Sequence, residues 1–177
     1  QVLERLTGPV EVILFILAAV LGAYTGFLLS ALISYPMLNN PVLPALFLAS
    51  GTSSGIAATF LFILIAGKLK GDSHESHFIH KFEVPIMVTE LGLLVCFFVG
   101  LYFGGGQKVV ALQNALSGFW GAVFWIGVFL IGILIPLLAN LAVKDNLKYN
   151  KNFIILVSIF DLIGVLCLRY FILYAGQ

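Results

Sequence analysis

Five stretches of the chain are apolar almost throughout: Val10 to Ile33, Leu43 to Gly67, Val84 to Phe103, Leu116 to Leu138 and Phe153 to Tyr174. Each has about the 20 residues that an α-helix needs to cross a hydrocarbon layer. Inside lipid every backbone N–H and C=O must be satisfied within the span, which forces the helical reading. A membrane barrel would instead show short segments of alternating hydrophobicity, and none appear. The pattern therefore predicts an all-α, polytopic transmembrane helix bundle of about five spans. A single domain covers residues 1–177, without a convincing internal repeat.

Composition agrees with that pattern. Of 177 residues, 61% are hydrophobic and 10% are charged, and the mean hydropathy is +1.11. A soluble domain is roughly half apolar and a quarter charged. Lipid is the partner such a surface demands, and a net charge of +1 gives no electrostatic case for nucleic acid. Cys96 and Cys167 both sit inside apolar runs, without the spacing of a disulfide framework or thiolate cluster. The chain opens on Gln1, and its first apolar run is too long, and lacks the basic start, for a cleaved signal. The expectation is a portion of a longer polypeptide.

Basic residues give the spans a direction. The linker 68–81 carries Lys68, Lys70 and Lys81, and the linker 144–151 carries Lys144, Lys148 and Lys151; Arg5 joins them on that side. Only Lys108 and Arg169 fall opposite, so seven of the nine basic residues share one side. The positive-inside rule makes those linkers cytoplasmic and leaves the C-terminus outside. The outer connection from Ser34 to Pro41 is uncharged and holds Tyr35, Asn39 and Asn40, with prolines at positions 36 and 41 that stop helix propagation. Small residues four apart, Gly22 and Gly26, Gly51 and Gly55, Gly100 and Gly104, mark candidate sites of close helix packing.

Ionisable groups inside a membrane are costly, so each is a functional candidate. Glu90 in the third span and Asp161 in the fifth both fall roughly 10–14 Å inside the cytoplasmic face at 1.5 Å per residue, which allows one shared layer. They read either as a proton path or as hydrogen-bonded acids between helices. Tyr24 stands between Gly22 and Gly26 in the outer half of the first span, and its phenol can donate to a carbonyl. It also fits an ordinary interfacial tyrosine. His74, His77 and His80 form a spaced run, but Gly71 to Ser76 reads as a polar loop and no metal site is assigned. No histidine falls within a span, so the chain offers no axial pair for a haem in the bilayer. Gly104-Gly105-Gly106-Gln107-Lys108 lacks the ending of a phosphate-binding loop and reads as a flexible turn.

The run YTGFLLSALISYPMLNNPVLPALFLASGTSSGIAA, from Tyr24 onward, is more specific. A Tyr-Thr-Gly helix, a Pro/Asn loop and a Leu-Pro-x-x-Phe-x-x-Ser helix resemble the membrane subunit of polysulfide reductase and its relatives, the NrfD-type quinone-interacting family. The resemblance extends over essentially the whole chain, aligned to the later part of a family pattern of eight or more spans. It implies a subunit of a bacterial inner (plasma) membrane respiratory complex. Electrons would pass between menaquinol or another quinone, bound near the outer face, and a docked iron–sulfur subunit, with a further redox subunit beyond. It also implies a chain without haem or iron–sulfur cluster of its own, with Tyr24 as the one counterpart of the family's quinone-site residues. The residues themselves, apart from the resemblance, make Glu90 and Asp161 the candidate proton path and Tyr35, Asn39 and Asn40 the candidate partner-facing outer loop. The chain would not be catalytic alone. The family's quinone pocket is shared with earlier helices that have no counterpart in these residues. The competing expectation is a proton-coupled transporter or ion-translocating module built on the two carboxyls, and a third is a structural anchor for soluble subunits.

Overall fold

The computed structural model describes residues 2–65, 74–142 and 151–175. The linkers expected to be cytoplasmic lie largely outside them. Among the described residues the chain is helical, without strands. Helix α1 spans Val2–Ser30, α2 spans Leu43–Ile65 and α3 spans His74–Phe103. A short α4, Gln107–Ala115, follows. The next rod, α5, begins as Gly118–Ala122, passes through a π-helical stretch Val123–Leu134 and ends as Ile135–Ala142. Backbone angles at both junctions stay helical, so it is continuous. Helix α6 is Lys151–Ala175.

Five of these helices are long and apolar enough to cross a membrane: Gly8–Ser30, Leu43–Ile65, Val84–Phe103, Gly118–Asn140 and Asn152–Ala175. They coincide with the five apolar runs to within a few residues. The fourth starts two residues later than expected because Gly118 has φ 63°, a left-handed value that breaks the chain from α4. The first turns of α3 carry a correction. His74, His77 and His80 stand on the helix rather than in a loop, and their side chains lie outside the described residues.

Helix α2 is central and packs against α1, α3 and α6, while α6 also packs along α5. The helices α2, α3, α5 and α6 form a four-helix bundle, and α1 lies against α2 with most of its span uncovered. At the end bearing the α1–α2 loop, Met37, Leu38, Leu43 and Phe47 meet Phe97, Leu101, Phe124 and Phe171 in one core. Bulky aromatics dominate there, with Phe124 against Phe98 and Phe171 at ring-centre distances of 4.9 and 5.1 Å. Near the same end, Phe119, Trp120, Tyr170 and Tyr174 form a partly exposed aromatic cluster, Trp120 stacking on Tyr174 at 6.0 Å. Amphipathic rings of this kind suit a membrane–water boundary.

Helix contact is closest between α5 and α6. A Cβ on Gly132 would stand 2.6 Å from the Gly164 Cα, and one on Gly164 would run into Gly132. Gly127 is pressed in the same way against Cys167. Of the glycine pairs expected from sequence, Gly26 holds α1 against the Pro44 backbone of α2, and Gly22 faces Leu48. Gly55 has nothing within 4 Å, and Gly51 meets only an arginine side chain.

Candidate functional site

Helices α2, α3 and α6 each turn a polar side chain into the apolar bundle. Ser53, Glu90 and Asp161 are 4%, 5% and 3% exposed, so all three are withdrawn from the surrounding medium. The Ser53 hydroxyl stands 3.0 and 3.1 Å from the two carboxylate oxygens of Asp161 and donates to them. Glu90 lies within electrostatic reach of Asp161. The two acids expected to share a layer are thus brought together, across three helices. Charged and polar groups survive in such a setting only with hydrogen-bond partners, and Ser53 is one. The sequence reading missed Ser53. Its signal was available: Ser50, Thr52, Ser53 and Ser54 interrupt an otherwise apolar span. The other hydroxyls of that run donate to carbonyls of their own helix, at Phe47, Ala49 and Gly51, and only Ser53 crosses to a neighbour.

Two further polar side chains are buried in the bundle. Ser158 on α6 is 2% exposed, one turn before Asp161. Asn140, near the end of α5, is buried, and its amide nitrogen has no hydrogen-bond partner among the described residues.

Tyr24 lies elsewhere. It is 54% exposed on α1 and does not join the carboxyl layer. Its neighbours Gly22 and Thr25 line a cleft between α1 and α2 that Tyr24 does not reach. Of the flanking glycines, Gly26 serves the packing of α1 on α2, and Gly22 lines the cleft.

The loop residues have separate fates. Tyr35 is exposed, Asn39 is half-buried, and Asn40 is turned inward. The Asn40 amide nitrogen donates to the Phe97 carbonyl at 3.0 Å, and its oxygen accepts from the Val42 N–H at 3.1 Å. One side chain therefore ties the loop to α3 and leads the chain into α2. Gly100 makes room for it, since a Cβ there would stand 3.3 Å from the amide nitrogen. Asn39 is held through its carbonyl, which accepts from the Lys108 ammonium at 2.9 Å. Lys108 reaches back because Gly105 and Gly106, at φ 64° and 52°, turn the chain sharply after α3. Of the three residues, Tyr35 is the one most open to a partner. No group of histidine, cysteine and carboxylate side chains among the described residues could hold a metal ion.

A family model described as polysulphide reductase, NrfD, matches residues 1–177. The chain belongs to the NrfD family. It is 88% identical over 174 residues to a protein of Haemophilus influenzae named Protein NrfD homolog, covering 98% of this chain and 54% of that protein. It is 48% identical over 168 residues to Protein NrfD of Escherichia coli, covering 94% of this chain and 52% of the relative. It is 42% identical over 172 residues to a polysulfide reductase polypeptide of Wolinella succinogenes, covering 96% of this chain and 54% of that one. The chain thus spans about half the length of the curated relatives it matches. No solved structure matches it. Family and helices together make it a multi-pass integral membrane protein of the NrfD family.

Proposed function

We propose that this chain is part of the membrane subunit of a bacterial inner-membrane respiratory complex, exchanging electrons between quinol or quinone and an iron–sulfur subunit. The observation that carries this reading is the family match over residues 1–177, joined by 42% identity to the polysulfide reductase polypeptide. Menaquinone or ubiquinone is the bound substrate, and the chain carries no redox group of its own. Electrons therefore leave through the iron–sulfur subunit to a further redox subunit. Both dock at the bundle end that presents Tyr35 and the α1–α2 loop.

Oxidation of a quinol releases two electrons and two protons, so an electron exit must be matched by a proton exit. Tyr24 donates its phenol hydrogen to one quinone oxygen, a role that its exposure on α1 permits. Glu90 and Asp161 serve a proton route through the bundle, with the Ser53 hydroxyl as the group that passes a hydrogen bond to Asp161. The test is Tyr24→Phe in the intact complex. Quinol turnover is expected to fall at least tenfold and inhibitor binding to weaken; unchanged turnover and inhibitor binding would remove Tyr24 from the site.

The buried Ser53–Asp161 contact beside Glu90 also favours a second reading, an ion-translocating module. That reading predicts proton-linked uptake in vesicles that contain the membrane subunit without any redox partner. The quinone reading predicts none.

A further inference from the structure

Asn140 has no role in the redox reading, yet it sits inside the bundle. It is 5% exposed, and its amide nitrogen has no hydrogen-bond partner among the described residues. Buried polar groups are satisfied almost without exception, by protein or by ordered water. In the second half of α5 the buried positions are Gly132, Ile133, Pro136 and Asn140, a stripe at helical spacing. On α6 the buried stripe runs through Ile154, Val157, Ser158, Asp161, Gly164 and Val165.

The two stripes face each other in a fixed register. Helices α5 and α6 are antiparallel, with Phe124 against Phe171, Gly127 against Cys167 and Gly132 against Gly164. At 1.5 Å per residue, this register sets Asn140 level with Leu156, about 3 Å from the level of Ser158 and about 7.5 Å from that of Asp161. The segment Ile135–Ala142 still packs on α6 there, and it also touches α3, the helix of Glu90. Each Cα–Cβ bond tilts towards the N-terminus of its own helix. On antiparallel helices that tilt carries Asn140 and Asp161 towards each other, with Ser158 between them in level. The amide nitrogen needs an acceptor, whereas a carboxylate has room for donors besides Ser53. A small neutral molecule that accepts from one and donates to the other meets both needs. An anion would be repelled by the two carboxyls, and a cation has no use for the amide donor.

We propose that Asn140, Ser158 and Asp161 hold a buried water between α5 and α6. The water accepts from the Asn140 amide nitrogen and donates to the Asp161 carboxylate, with the Ser158 hydroxyl as its third partner; three bonds are the usual complement of a buried water. Asn140 stands two residues before α5 ends at Ala142. The water therefore carries the acid layer's hydrogen bonds towards the linker end of the bundle. This role rests on the proton route of the proposed function and extends it by one step. The water takes up a proton on one side and gives up another on the other, so its composition is unchanged. An amide neither gains nor loses a proton in that step, which makes Asn140 a positioning residue for the water.

Cryo-electron microscopy of the intact complex with its full-length membrane subunit tests the site without turnover, at a resolution that shows buried waters elsewhere in the map. A water is expected within hydrogen-bond distance of the Asn140 amide nitrogen and of Ser158, and it should be gone in Asn140→Leu. No water there, or an amide nitrogen bonded directly to the linker after Ala142 or to another part of the polypeptide, would overturn the proposal. The wild-type map decides this even if Asn140→Leu fails to assemble. Proton counts in vesicles test the relay. Asn140→Leu should lose the protons per quinol oxidised that Asp161→Asn loses. Asn140→Ser, which keeps a polar group and leaves space for water, should retain them, and Ser158→Ala should lose part of them. A loss in Asp161→Asn with none in Asn140→Leu would overturn the relay and leave the proton route standing. No loss in Asp161→Asn would overturn the route itself, and the relay with it.

Discussion

Asn40 makes two hydrogen bonds from a buried position, to the Phe97 carbonyl and from the Val42 N–H. Asn40→Ala would strand the Val42 N–H and take a second donor from the Phe97 carbonyl, which keeps its helical bond within α3, and a stranded buried group costs about 1–3 kcal/mol. Asn40→Ala is therefore expected to lower the thermal midpoint of the detergent-solubilised protein by several degrees. Tyr35→Ala removes an exposed ring and should leave that midpoint unchanged, while weakening attachment of a soluble partner in pull-down. The same reasoning applies at Ser53, whose single hydroxyl meets both oxygens of Asp161. Ser53→Ala withdraws a donor that reaches the Asp161 carboxyl from a neighbouring helix. It should reduce protons released per quinol oxidised, read with a pH indicator in vesicles, more than it reduces electron transfer itself. Tyr24→Phe should show the opposite ratio.

The rods themselves were largely legible in the sequence, because span length and lack of charge fix a membrane helix with little help from tertiary contacts. Glu90 and Asp161 were legible for the same reason, as charges where charges are costly. What could not be read is how the helices rotate and meet. A spacing of four singles out Gly51 and Gly55, neither of which touches a neighbouring backbone, and passes over Gly127, Gly132 and Gly164, which hold α5 to α6. Gly127 and Gly132 are five apart, and i→i+5 hydrogen bonding in the π-helical stretch Val123–Leu134 is what brings such positions towards one face. Gly164 is on another helix, so no spacing rule within a span finds it. Helix α4 was missed because its polar residues resemble a loop until α3 and α5 are in place to cover one side. The α5–α6 contact makes a sharp prediction. Gly164→Val must push α5 and α6 apart and should cost about 1–3 kcal/mol, as overpacking does, while Gly55→Ala should be neutral or slightly stabilising. Paired thermal melts of the two variants check it.

At the scale of the whole molecule, chemistry and charge are divided between the two ends of one bundle. The loop 31–42, helix α4 and the aromatic cluster around Trp120 lie at one end, and the lysine-bearing linkers follow from the other. Lys108 and Arg169 are the exceptions to the charge asymmetry; the Lys108 ammonium is held by the Asn39 carbonyl, and the Arg169 guanidinium lies over the Phe47 ring. The asymmetry predicts that the loop end faces outward. Single cysteines placed in a background without Cys96 and Cys167 decide the matter. Tyr35→Cys and Gly106→Cys should react with a membrane-impermeant maleimide in intact spheroplasts, and Ser73→Cys only after permeabilisation. The reverse pattern would do more than invert a diagram. It would put Tyr35 and Tyr24 nearer the cytoplasm, so that an iron–sulfur partner at the loop end would take its electrons on the inside. The protons of a quinol oxidised beside Tyr24 would then have no outward path except through the Ser53–Glu90–Asp161 layer. Labelling therefore also decides which direction of proton transfer the proposed function requires of that layer.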